Sequence, residues 1–88
     1  MSKYDPLYKW LNARSDSRIP AAFRQIEKIL GFALPMTARK APAWWANEKA
    51  VRSRHVQCKA WLDAGFHAEN VSIAKETLDF VMSLLKKA

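Results

Sequence analysis

Apolar positions recur at helical spacing in several stretches of the chain and alternate in its last third. Asp5-Pro6 has the form of a helix start, since Asp caps free amides and Pro fits the first turn without losing a needed donor. Leu7, Trp10 and Leu11 then fall at i, i+3 and i+4, with Tyr4 and Tyr8 nearby, which predicts a helix from Pro6 to about Ala13 with one core-facing stripe. The polar run Arg14–Arg18 interrupts it, and Ile19-Pro20-Ala21-Ala22 reads as a short extended piece. Phe23, Ile26, Ile29 and Leu30 restore the helical period until Gly31 stops it, so the second helix is Phe23 to Leu30.

Phe32-Ala33-Leu34 is an apolar turn, after which Pro35 opens a further helix through Met36, Thr37, Ala38, Arg39 and Lys40, ended by Pro42. Two short helices joined by a glycine-containing turn, the second one basic, give the outline of a helix-turn-helix. Trp44-Trp45-Ala46-Asn47 is expected as a brief strand or extended segment. A last helix begins around Ser53, turns Val56, Ala60, Trp61 and Ala64 inward, shows His55, Lys59 and Arg52 outward, and closes at Gly65. Beyond it the stretch from Phe66 to Val81 reads as a β-hairpin: Val71 and Ile73 alternate with polar neighbours, Ala74-Lys75-Glu76 turns, and Leu78 and Phe80 alternate again. Ala74, Leu78, Val81 and Leu85 also fit a helical stripe, and periodicity alone does not separate the two readings. The expected fold is a single α+β domain over residues 1–88, helix-turn-helix-like helices followed by a C-terminal β-hairpin, winged-helix-like in outline.

Composition supports a folded chain: half of the 88 residues are hydrophobic and four are Trp, enough for one modest core. A single cysteine, Cys58, rules out an internal disulfide and a cysteine-rich zinc site. With no signal-like or membrane-length apolar run, the expectation is a cytoplasmic protein without a membrane partner. Charge sharpens the picture, because fifteen Lys and Arg stand against eight Asp and Glu. Residues 36–61 hold six basic side chains and one acidic, whereas residues 62–88 hold three and four. A cationic middle segment attracts polyanions, of which nucleic acid is the commonest inside cells; a solvated basic face is the plain alternative.

No catalytic or cofactor chemistry stands out. Cys58 and His55 are three residues apart, but a lone thiol and imidazole on an amphipathic helix are ordinarily packing and surface groups. The acids show no paired spacing for acid–base or metal work, and two glycines cannot build a phosphate loop. The expectation is no enzyme, no cofactor and no metal. What remains is a constellation for nucleic acid: Arg39, Lys40, Trp44, Trp45, Asn47, Lys49, Arg52, Arg54, His55 and Lys59. Lys and Arg hold phosphates, Arg and Asn read base edges, and an exposed indole stacks on a base or sugar. Adjacent side chains diverge, so one indole is expected in the core and the other partly exposed.

The ordered set IExxLG-xxLPxxAR, WWxN and AWxxAG resembles a family of small, largely uncharacterised bacterial and phage domains, over nearly the whole chain. The resemblance implies an α+β domain ending in a hairpin, and places Leu34, Pro35, Ala38, Arg39, Trp44, Trp45, Asn47, His55 and Trp61 on motif positions. Ala41 departs from the pattern, and the extension after Val81 is atypical. The expected function is that of a small basic regulator, nucleoid-associated or mobile-element protein that binds nucleic acid, double-stranded DNA first. The rival is a protein-binding inhibitor or adaptor acting on a nucleic-acid-handling partner. A homodimer built on the aromatic surface is compatible with both.

Overall fold

A computed structural model of the chain describes residues 3–47 and 56–83, the side chain of Val56 excepted. Helix α1 (Asp5–Asn12) precedes strand β1 (Arg18–Ala22) and helix α2 (Phe23–Leu30). Helix α3 (Met36–Lys40), a 3-10 turn (Pro42–Trp45) and helix α4 (Val56–Asp63) come next, and strands β2 (Phe66–Ser72) and β3 (Thr77–Met82) close the fold. The three strands form one antiparallel sheet in the order β1-β3-β2. This is the α+β domain that the pattern predicts.

Each helix follows its apolar spacing. Leu7 and Leu11 are the buried face of α1, and Phe23, Ile26 and Leu30 that of α2. Gly31 ends α2 at φ 85°, with its N–H on the carbonyl of Glu27 at 2.8 Å. That left-handed turn is where glycine costs least. Ala60, Trp61 and Ala64 point inward from α4 as expected, and Cys58 and Gln57 are buried with them. The expected start of this helix at Ser53 lies outside the described residues.

The hairpin reading holds through Met82, which excludes the helical alternative as far as that residue. Two features of the sheet were not expected. The residues read as a short extended piece form a full strand, with Ile19 opposite Phe80 and Ala21 opposite Leu78. The hairpin's first strand starts at Phe66, as expected, but carries an irregularity between Glu69 and Ser72, where Asn70 takes φ 54°. Such a bulge interrupts the two-residue period of the strand.

A second correction concerns Trp44-Trp45-Ala46-Asn47, expected to be extended. Pro42 to Trp45 instead make a 3-10 turn, with Trp44 N–H on the Ala41 carbonyl and Ala46 N–H on the Ala43 carbonyl, both 3.1 Å. Pro42 at its first position surrenders no needed donor. The chain becomes extended only at Ala46, φ −63° and ψ 146°.

The turn delivers Trp45 to the centre of an aromatic stack that crosses the core. Its ring lies 4.9 Å from Phe23 and 5.8 Å from Trp61, both near parallel, and Trp61 lies 5.7 Å from Phe80. One stack therefore ties α2, the 3-10 turn, α4 and β3 together, and each such pair adds about 0.5–1.5 kcal/mol beyond the area it buries.

Candidate nucleic-acid interface

The ten residues expected at the interface separate into three groups. Lys49, Arg52, Arg54 and His55 lie outside the described residues. Arg39, Trp45 and Asn47 are committed to internal contacts. Lys40, Trp44 and Lys59 present surface: both lysines are exposed, and Trp44 is half-buried.

Trp45 is only 2% exposed, and its indole N–H donates to the Ala38 carbonyl at 2.9 Å. With its ring stacked between Phe23 and Trp61, it has no face left for a base. Trp44 sits at the rim, edge-on to Trp45 at 4.7 Å and to Tyr4 at 6.2 Å. Its carbonyl accepts from the buried Gln57 amide at 3.1 Å, which fixes the 3-10 turn against α4. Of the adjacent indoles, Trp44 alone keeps access to solvent, and burial pushes the pKa of its neighbour Tyr4 up.

Asn47 is exposed at the edge of the sheet, but its amide is bonded within the domain. Its Oδ1 accepts from the Ala68 N–H and from the Trp61 indole N–H, each at 2.8 Å, and its Nδ2 donates to the Ala68 carbonyl at 2.9 Å. Arg39 is likewise occupied: one guanidinium nitrogen donates to Glu27 at 2.5 Å and the other to Glu76 at 2.7 Å. Glu27 also accepts the Leu34 N–H at 2.8 Å. That backbone bond first, and the guanidinium second, hold the Glu27 carboxyl below its ordinary value. Arg39 thereby clamps α2, α3 and the hairpin turn to one another.

The roles of Asn47 and Arg39 were not legible as spacing, because their partners are 12 to 37 residues away. The available signal was the acid inside the IExxLG segment, followed eight residues after Gly31 by Arg39.

A family model described as a domain of unknown function (DUF7662) matches residues 4–83. The chain belongs to this family. No curated protein and no solved structure matches it. Within the DUF7662 domain the described motif residues act largely as architecture: Leu34, Ala38, Trp45 and Trp61 are buried, while Arg39 and Asn47 are anchored to other elements. Among the described residues no group of three or more His, Cys, Asp or Glu is placed to hold a metal ion, and no helix is long and apolar enough to cross a membrane.

A second ion-pair network lies on the outer face of the sheet. Arg18 reaches Asp79 at 2.7 Å and Glu69 at 3.7 Å, and His67 Nε2 lies 2.5 Å from Glu69. The Asn70 amide, and after it Arg18, draw the Asp79 carboxyl below its ordinary value. This face gathers acids and is a poor surface for a polyanion.

Proposed function

We propose that this DUF7662 domain binds DNA, using Lys40, Trp44 and Lys59 together with Lys49, Arg52, Arg54 and His55 of the intervening segment. The observation that carries the reading is how the acids are distributed. Arg18 and Arg39 engage four of the eight carboxylates, Glu27, Glu69, Glu76 and Asp79. The remainder of the chain therefore carries thirteen basic side chains against four acidic ones. Cations in that excess neutralise phosphates and release counterions, while a half-exposed indole packs on sugar or base.

The fold supports a finer version. Helix, strand and three helices, then a hairpin whose second strand pairs with the first strand of the chain, is compatible with a winged helix that carries one added helix before the hairpin, the turn at residues 73–76 being the wing. The test is a salt-titrated mobility shift on duplex and single-stranded probes. Contact with four to five phosphates gives a slope of log K on log salt of roughly −4, flattened in a Lys40→Ala/Arg52→Ala/Arg54→Ala/Lys59→Ala variant. Absence of any shift at low salt, or binding indifferent to ionic strength, refutes the proposal.

One observation favours the rival reading of a protein-binding adaptor. Met36, on the same short helix as Lys40, is the one large apolar side chain that stands well exposed among the described residues, at 65%. On that reading neither duplex nor single strand shifts, and Met36→Glu weakens a defined protein complex more than Lys40→Ala does.

A further inference from the structure

The clamp around Arg39 gathers cations that no stretch of sequence places together. Every member of it has an exposed basic neighbour: Lys28 follows Glu27, Lys40 follows Arg39, and Lys75 precedes Glu76. A backbone bond from the Phe23 N–H to the Glu76 carbonyl, 2.8 Å, pins the hairpin turn to the start of α2, so Arg24 and Lys75 flank a single hydrogen bond. Arg24 and Lys28 are four apart on α2 and share one ridge, and Arg24 sits close enough to Glu27 to help lower its pKa. Among the described residues none of these four cations forms an ion pair, whereas both clamp carboxylates are already engaged by Arg39. Arg39 offsets one of the two carboxylate charges, and with Arg24, Lys28, Lys40 and Lys75, exposed beside the clamp on three elements, five cations against two acids leave the group at net +3. Like charges four apart on one ridge repel mildly, and an anion bound there relieves the repulsion.

We infer that Arg24, Lys28 and Lys75, with Lys40 as the link to the surface proposed above, form a second contact site for the phosphodiester backbone of duplex DNA. Arg39 is its positioning residue: it sets the hairpin turn against α2 without touching the ligand. The inference rests on the DNA-binding reading and extends the footprint from Lys40 to α2 and the hairpin turn.

The experiment is a salt-titrated mobility shift of the full chain on a duplex of about 20 base pairs, comparing wild type, Arg24→Gln/Lys28→Gln/Lys75→Gln, and a Lys3→Gln/Lys9→Gln control at and before α1. Three phosphate contacts beyond those of the first surface steepen the wild-type slope by roughly 2.7, and the triple variant is expected to lose that increment and to bind at least tenfold more weakly at low salt, with the control's slope unchanged. All replaced side chains are exposed, and unchanged far-UV circular dichroism confirms that each variant is folded. A triple variant with the wild-type slope, or a control that flattens as much, overturns this site while leaving DNA binding intact. A wild type that shifts no duplex refutes the underlying reading instead. Loss of the triple variant's binding to vesicles containing phosphatidylserine, without loss on duplex, would assign the cluster to a lipid surface and overturn the inference.

Discussion

The side-chain amide of Asn47 meets the peptide group of Ala68 at both ends, donating to its carbonyl at 2.9 Å and accepting from its N–H at 2.8 Å. Gly65 and Ser83 pair through Ser83 N–H, which turns the peptide groups of Phe66 and Ala68 away from β3 toward the open edge of the sheet. Asn47 stands there in place of a fourth strand. The opposite edge is blunted differently: the bonds at Ser17 and Phe23 alternate so that Pro20 faces outward on β1, where its missing N–H leaves no donor. Asn47→Ala strands both groups of Ala68 and the Trp61 indole N–H, and is expected to cost about 2–4 kcal/mol. Urea denaturation checks it, through a lowered midpoint at constant slope; a variant as stable as wild type contradicts the role.

The adjacent indoles differ sharply in what their removal costs. Trp45→Ala empties the middle of the Phe23–Trp45–Trp61 stack and is expected to lose about 3–5 kcal/mol. Trp44→Ala, at a half-buried rim position, loses roughly 1–2 kcal/mol by the area it covers. Acrylamide quenching separates them without denaturation: Trp44→Phe lowers the accessible fraction of the emission, leaving the half-buried Trp10 as the accessible ring, while Trp45→Phe removes a buried emitter and raises that fraction.

How much of this was legible in sequence follows from where the partners are. The helices were, since Phe23, Ile26 and Leu30 report burial within two turns and Gly31 marks the stop locally. So was the far half of the hairpin, where Leu78 and Phe80 alternate without interruption. Trp44-Trp45 misled because aromatic residues favour strands, yet a preceding proline and two backbone bonds set the turn. Arg39 looked like a phosphate ligand because its charge is visible in the sequence and its carboxylate partners, 12 and 37 residues away, are not. Composition gave the excess of cations; only the fold separates those bound internally from those facing solvent.

Two carboxylates make stability depend on acid pH. Glu27, through the Leu34 N–H and then Arg39, and Asp79, through Asn70 and then Arg18, titrate below their ordinary values in the folded chain. A depressed folded pKa adds stability that is complete above the unfolded value and is lost as pH falls through the folded one. The gap in urea midpoint between wild type and Glu27→Gln should therefore be widest above about pH 5 and shrink as pH drops past roughly 4.3, the ordinary glutamate value. A gap that stays constant from pH 7 to pH 3 excludes a differential carboxylate interaction.

Glu76 is held in the left-handed region at φ 54°, where a side chain strains the backbone, yet it is also the residue that Arg39 grips. The two effects can be pulled apart by substitution. Glu76→Ala removes the ion pair and keeps the backbone penalty, whereas Glu76→Gly removes both. The pair is half-exposed on the glutamate side, so water and salt screen it heavily and its loss should be small. The backbone term is the larger: Gly is expected to be more stable than Ala here by about 1 kcal/mol. Thermal or urea denaturation of the two variants measures that difference directly, and an alanine variant at least as stable as the glycine one would mean that the turn relaxes out of the left-handed region once Arg39 lets go.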